Sequence, residues 1–170
     1  MNEEMKIKMR EAEIGDMPVV IAIIKETGFF RSVEVEVAAE VFRDAAGNQD
    51  PGSYLSYVAE IDGRVAGWIC FGPTPCTMGT FDVYWIAVNP GDQRHRIGAR
   101  LLGFAENEII RRKGRLVVIE TSGNEKYRPT QRFYEKNGYH LDAVVDDFYS
   151  VGDSKMIFTK HLFVPFTGRI

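Results

Sequence analysis

The sequence predicts an α/β (α+β) fold, one mixed sheet of about seven strands with about four helices on both of its faces. Three observations predict it. The apolar pattern switches between strand alternation and helical spacing in the order β-α-α-β-β-β-α-β-α-β-β, which asks for a sheet covered on both sides. The central stretch Thr80–Leu102, TFDVYWIAVNPGDQRHRIGARLL, runs as strand, polar turn and helix. The 170 residues are 45% hydrophobic and 26% charged, enough for one soluble domain (1–170) with a sizeable core.

Each element has a local reason. After Met1–Met5, expected to fray, Lys6–Arg10 alternates and reads as a first strand. Asp16 suits an N-cap and Pro18 the first turn of a helix through Val19, Val20, Ile23 and Ile24, ending near Gly28. Ser32 is expected to cap a second helix through Val37, Val41 and Phe42, closed before Gly47. Asn48–Ser53 reads as a loop. Tyr54–Ile61 and Arg64–Phe71 are strands joined by Asp62-Gly63, a strong hairpin signal. Gly72–Gly79 is a longer loop.

Thr80–Val88 is the central strand, stopped by Asn89-Pro90-Gly91. From about Ile97 the apolar residues Ile97, Leu101, Leu102, Ala105 and Ile109 keep helical spacing, and the helix ends near Lys113-Gly114. Arg115–Thr121 is a buried-type strand and Ser122–Glu125 a loop. Pro129 opens a short helix to Asn137-Gly138. His140–Tyr149 and Ser154–His161 are the last strands, joined through Gly152-Asp153.

Composition excludes several classes. A formal net charge of −3 argues against a dedicated nucleic-acid binder. No apolar run approaches a membrane span and no signal peptide opens the chain, so no membrane partner and a cytoplasmic location are expected. Cys70 and Cys76 form no C-x-x-C pair and have no clustered histidine, so reduced thiols and no metal are expected.

The turn Asp92–Ala99, DQRHRIGA, carries the chemistry. The first-turn N–H groups of a helix lack intrahelical acceptors, and the macrodipole is positive there, so oxyanions bind well. Gly98 allows close approach to the backbone, and Arg94 and Arg96 add positive charge. No Gly-Lys-Ser/Thr follows and G-x-G-x-x-G is missing, which sets aside a Walker A loop and a dinucleotide fingerprint. An ordinary βα turn with a solvated basic rim remains the competing reading of these residues.

Taken with its flanks, the stretch resembles the acyl-CoA-binding motif of the GNAT superfamily of N-acetyltransferases. Ile86-Ala87-Val88 matches the strand end, and Gln93, Gly98 and Ala99-Arg100-Leu101-Leu102 match the turn and the helix opening. Arg96 stands where the motif's first glycine is usual; arginine can adopt ordinary turn or helical dihedrals, and its guanidinium can itself meet a phosphate. Gln131–Tyr139, QRFYEKNGY, is similar to the family's F-Y-E-K-x-G-F/Y motif. The Asp-Gly hairpin and VAGWICFG look like its second and third strands.

The resemblance implies a mostly antiparallel central sheet and direct, sequential acetyl transfer from acetyl-CoA to an amine, with no metal. It also implies the roles. Ile86 offers its backbone N–H to the thioester oxygen, and Val88, beside Ala87, pairs with the pantetheine arm. Gln93, Arg94, His95, Arg96, Ile97, Gly98 and Ala99 hold the pyrophosphate. Asn124 and Tyr127 are further coenzyme contacts.

A lysine-like amine, with a pKa of about 10.4, is only about one part in a few thousand neutral at pH 7, so a base is needed. Asp82 is the first candidate, ionisable in an apolar strand and on the face of Tyr84, Ile86 and Val88. Glu120 is the second. Tyr134, at the family's tyrosine position, is the acid for the thiolate. The bland readings are a wet strand-end Asp82, a loop-capping or amine-binding Glu120 and a packing Tyr134. His95 fits simple exposure. Phe29-Phe30 fits an acceptor wall or core. Glu34, Glu36 and Glu40 fit a solvated helix face or an attractor for a cationic amine.

The acceptor partner is a small-molecule, peptide or protein amine, and the apolar tail Leu162–Phe166 suits a homodimer contact. The alternative function is a non-catalytic acyl-CoA-binding or regulatory module of the same fold.

Overall fold

The computed structural model describes residues 6–47 and 54–162, and of Arg94 the backbone alone. The expectations for Met1–Met5, for the loop Asn48–Ser53 and for the tail beyond Leu162 lie outside the described residues. Seven strands and four α-helices follow the expected order. The strands form one mixed sheet in the order β1-β2-β3-β4-β5-β7-β6. The chain divides into two compact units, Met1–Gly72 with Val83–Ala105, and Pro73–Asp82 with Glu106–Ile170.

The first unit holds β1 (Ile7–Glu11), α1 (Met17–Glu26), α2 (Ser32–Ala45) and β2 (Leu55–Ile61). It also holds nearly all of β3 (Arg64–Pro73), most of β4 (Thr80–Val88) and the start of α3 (Ile97–Arg111). β1 pairs antiparallel with β2, Ile7 opposite Ile61, and β2 with β3, Leu55 opposite Phe71. Asp62 (φ 50°) and Gly63 (φ 82°) are both left-handed, the geometry that lets a two-residue hairpin follow the strand twist.

On one face of these strands Val20, Ile23, Ile24, Ala38 and Phe42 of α1 and α2 pack on Val58, Trp68, Cys70 and Ala87. The fully buried Trp68 keeps its indole N–H satisfied by Ser56 Oγ at 2.8 Å. On the other face α3 lies on the strand backbone itself. A Cβ at Gly67 would meet Leu101 Cδ1 at 2.9 Å and the Ala87 carbonyl at 3.0 Å, so glycine is what allows the approach.

Two caps differ from the expectation. Arg31, not Ser32, is the N-cap of α2, because Glu34 Oε2 accepts the Arg31 N–H at 2.8 Å and so satisfies an orphan donor. Asp16 precedes α1 as expected but does not cap it with its side chain. Its carboxylate takes the Arg10 fork at 2.7 and 2.8 Å, while Arg10 Nε donates to Glu60 at 2.7 Å. The Arg10 hydrogen bond holds the Asp16 carboxyl below its ordinary value. Its stabilisation is thus present above the ordinary carboxylate pKa and is lost as pH falls through the lowered one.

The second unit holds the end of α3, β5 (Leu116–Ser122), α4 (Arg128–Lys136), β6 (His140–Ser150) and β7 (Asp153–His161). β7 pairs antiparallel with both β5 and β6. Tyr134, Tyr139 and Phe158 form its aromatic core, with ring centroids 6.1 and 5.8 Å from that of Tyr134. Glu106 accepts from Tyr139 Oη at 3.0 Å and from Lys160 Nζ at 2.8 Å, and Lys160 also donates to the Asn137 carbonyl at the end of α4. β6 is exposed along its whole length, and its register with β7 breaks near the left-handed Asp147. Among the described residues no helix is long and apolar enough to cross a membrane.

α3 ends as expected at Lys113-Gly114. Lys113 turns left-handed (φ 63°) and the Gly114 N–H returns to the Ile109 carbonyl at 2.8 Å. A Cβ at Gly114 would lie 2.2 Å from Ile109 Cγ2 and 2.8 Å from the Phe81 ring. Gly114→Ala is therefore expected to cost about 1–3 kcal/mol by overpacking, measured as a lowered urea midpoint; an unchanged midpoint would show that this contact yields freely.

Candidate functional site

In the first unit the strand end, turn and helix start form one continuous segment. Ala87 is buried in the core, with Ile86 and Val88 half-buried on either side. The Asn89 N–H donates to the Ala66 carbonyl at 2.8 Å, and Asn89 Oδ1 accepts the Gly91 N–H at 2.9 Å. The chain then makes a 3-10 turn, Pro90–His95, that leaves Gln93 and His95 exposed. α3 begins at Ile97, which is fully buried, with Leu101 and Leu102 buried a turn later. Gly98 and Ala99 stay half-buried in its first turn.

Arg96, between turn and helix, corrects the sequence reading. It is not in an ordinary turn or helical conformation but left-handed, φ 58° and ψ 26°. The chain must reverse its twist there before α3 opens, and the Arg100 N–H then reaches the Arg96 carbonyl at 3.0 Å. Glycine occupies such a position without strain, whereas an L-residue is penalised by about 1–2 kcal/mol. This is the physical reason a glycine is usual there, and the exposed arginine accepts the strain.

Sequence reasoning passed over Asp92. Its carboxylate, on a residue only 7% exposed, receives a two-pronged bond from Arg64, Nη1 at 2.8 Å and Nη2 at 2.9 Å. The Arg64 hydrogen bonds hold the Asp92 carboxyl below its ordinary value. The partners are 28 positions apart, and no local pattern couples them.

The second unit carries the acid–base candidates. Asp82, at the start of β4, is half-buried and accepts from Thr74 Oγ1 at 2.6 Å. Thr74 is itself placed by its N–H to the Thr80 carbonyl (2.9 Å) and by the bond its carbonyl accepts from Thr77 Oγ1 (2.7 Å). The carboxylate is thereby aimed, and Thr74 is a second residue that the sequence did not mark. Glu120, on β5, is exposed and paired with Lys155 Nζ at 2.7 Å, which lies 3.7 Å from the Phe148 ring centroid. Its charge is engaged across the strand pair.

At the end of β5 the buried Ser122 donates to Asp153 Oδ1 and accepts the Asn124 N–H, while Gln131 Nε2 of α4 donates to the Ser122 carbonyl. These bonds join the loop to the helix that bears Tyr134. Asn124 Oδ1 accepts the Lys126 N–H at 3.1 Å and so caps the 3-10 turn Glu125–Tyr127. Tyr134, 4% exposed, has its phenol pushed well above the ordinary value by burial, so it keeps its proton.

Other candidates take plain positions. Cys70 is buried, its thiol raised by desolvation, and Cys76 is exposed. The Phe30 ring lies 5.2 Å from that of Trp85, at the edge of the core. Glu34 pairs with Arg31.

A family model described as the acetyltransferase (GNAT) domain matches residues 52–141, a span with residues from both units. A crystal structure from Desulfovibrio desulfuricans assigned to the GNAT family is 38% identical, covers 92% of this chain and 99% of that one, and superposes with a TM-score of 0.87. The S-(2-succino)cysteine N-acetyltransferase of Bacillus subtilis (strain 168) is 30% identical over 87 residues, 49% of this chain and 53% of that relative. The chain thus spans about half the length of the curated relative it matches. The PaiA N-acetyltransferase from Thermoplasma acidophilum, solved with coenzyme A, shares the fold at 18% identity, with a TM-score of 0.71 over 93% of this chain and 100% of that one. The chain belongs to the GNAT acetyltransferase family.

The left-handed Arg96 generates a stability test. Arg96→Gly should relieve the backbone, net of glycine's own entropy, and gain about 0.5–1 kcal/mol. In calorimetric melting that is a rise of about 2 °C. A lowered melting temperature would mean that the arginine side chain stabilises the turn by more than its backbone costs.

Proposed function

We propose that this chain is an acetyl-CoA-dependent N-acetyltransferase that passes the acetyl group directly to an amine. The observation that carries the reading is the continuous segment from β4 through the exposed turn to α3, in a chain of this family. The main chain of Gln93, Arg94, His95, Arg96, Ile97, Gly98 and Ala99 holds the pyrophosphate, where helix-start N–H groups and the dipole favour an anion. The Ile86 N–H takes the oxyanion that develops on the thioester oxygen, and the backbone at Ala87 and Val88 lies along the pantetheine arm. Asn124 and Tyr127 line the coenzyme from the loop after β5.

As the amine nitrogen bonds to the acetyl carbon, the carbon–sulfur bond breaks. The amine proton passes to Asp82, through a water because aspartate is short. Thr74 fixes the carboxylate for that task. Tyr134 stands by the departing thiolate. Its phenol, kept neutral by burial, acts first as a hydrogen-bond donor and gives up its proton less readily than a free tyrosine. Glu120 ranks below Asp82 because Lys155 already compensates its charge. The acceptor is an amine, on a small molecule or on a peptide or protein.

Acetyl-CoA calorimetry is the test, with circular dichroism to check folding. Wild-type binding that disappears in a folded Gly98→Trp variant supports the reading; a wild type that binds nothing overturns it. Asp82→Asn should lower kcat by about 10²–10⁴-fold with little change in acetyl-CoA affinity. Retained turnover would remove Asp82 as the base. Binding without turnover on a broad amine panel would favour a non-catalytic acyl-CoA module.

A further inference from the structure

We propose that Arg64 and Asp92 form a clamp that presets the phosphate-binding turn, making Arg64 a positioning residue for acyl-CoA. The inference rests on the functional reading above and assigns work to two residues that reading leaves idle.

The turn Pro90–His95 is tied to β3 at two points. One is the backbone bond from Asn89 to the Ala66 carbonyl at 2.8 Å, and the other is the Arg64 fork on Asp92. Arg64 is the first residue of β3, directly after the two-residue Asp62-Gly63 hairpin, and its backbone is paired with Ile61 of β2. A fork on a carboxylate fixes orientation as well as distance, which a single bond does not. The turn is held by the protein's own contacts, so a ligand would meet a shape already made.

The charges argue the same way. Asp92 is 7% exposed and directly precedes Gln93, the first residue offered to the pyrophosphate. An uncompensated carboxylate there would repel a polyanion. Arg64 cancels that charge at every working pH, because a guanidinium does not deprotonate in this range. The Arg64 side chain is 56% exposed, and an ion pair with so open a partner adds little to global stability. Its loss should therefore appear in coenzyme affinity more than in melting.

The test is acetyl-CoA calorimetry and steady-state kinetics on the wild type, Arg64→Met, Asp92→Asn and the double variant. Arg64→Met leaves a bare carboxylate beside the ligand and is expected to weaken acetyl-CoA binding about tenfold. KM for acetyl-CoA should rise in step, with kcat, KM for the acceptor amine and the melting temperature nearly unchanged. Adding Asp92→Asn to Arg64→Met removes the repelling charge but not the missing fork, so it should recover only part of the loss; full recovery would reduce the pair to charge compensation and overturn the clamp. A wild type that binds while Arg64→Met binds equally well overturns the clamp. So does a loss shared by the acceptor KM and the melting temperature, since that marks a general structural role. A wild type that binds no acetyl-CoA instead removes the functional reading on which the clamp rests.

Discussion

Contact between α3 and the bare backbone at Gly67 is the constraint on which the first unit depends. A Cβ there would press on Leu101 Cδ1, the Ala87 carbonyl and Ile97 Cγ2, so the contact would have to give. With glycine the helix keeps it, and the strand end, the turn and the helix start follow one another as a single continuous segment.

Among the described residues, several sets of charged groups reach across elements. Arg10 gathers Asp16 and Glu60, Glu106 gathers Tyr139 and Lys160, and Arg64 holds Asp92. Each set spans elements distant in sequence and leaves a partly buried ion compensated, the condition under which such an ion is tolerated. Asp82 differs in kind. The hydroxyl of Thr74 aims its carboxylate without adding a charge.

Much of the fold was legible in the sequence because its signals are local. The Asp62-Gly63 hairpin, the stop at Asn89-Pro90 and the Lys113-Gly114 helix end each follow from backbone chemistry within a few residues, and the strands and helices fell within a residue or two of expectation. The strand end Ile86–Val88, the turn and the helix start were legible in the same way, as elements, because backbone chemistry sets them. The candidate site was not legible where side chains meet from afar. Nothing near Asp92 points to Arg64, nothing near Glu120 to Lys155, and nothing near Tyr134 gives the depth of its burial. Arg96 was misread for a related reason. Dihedrals at a junction are set by where the helix must start, which depends on packing behind it.

That left-handed arginine has a consequence in genetic terms. Every arginine codon can become a glycine codon by changing its first base alone, so the relaxed backbone is always a single substitution away. Because the backbone alone favours glycine at this junction, any selection for arginine there has to act through the guanidinium.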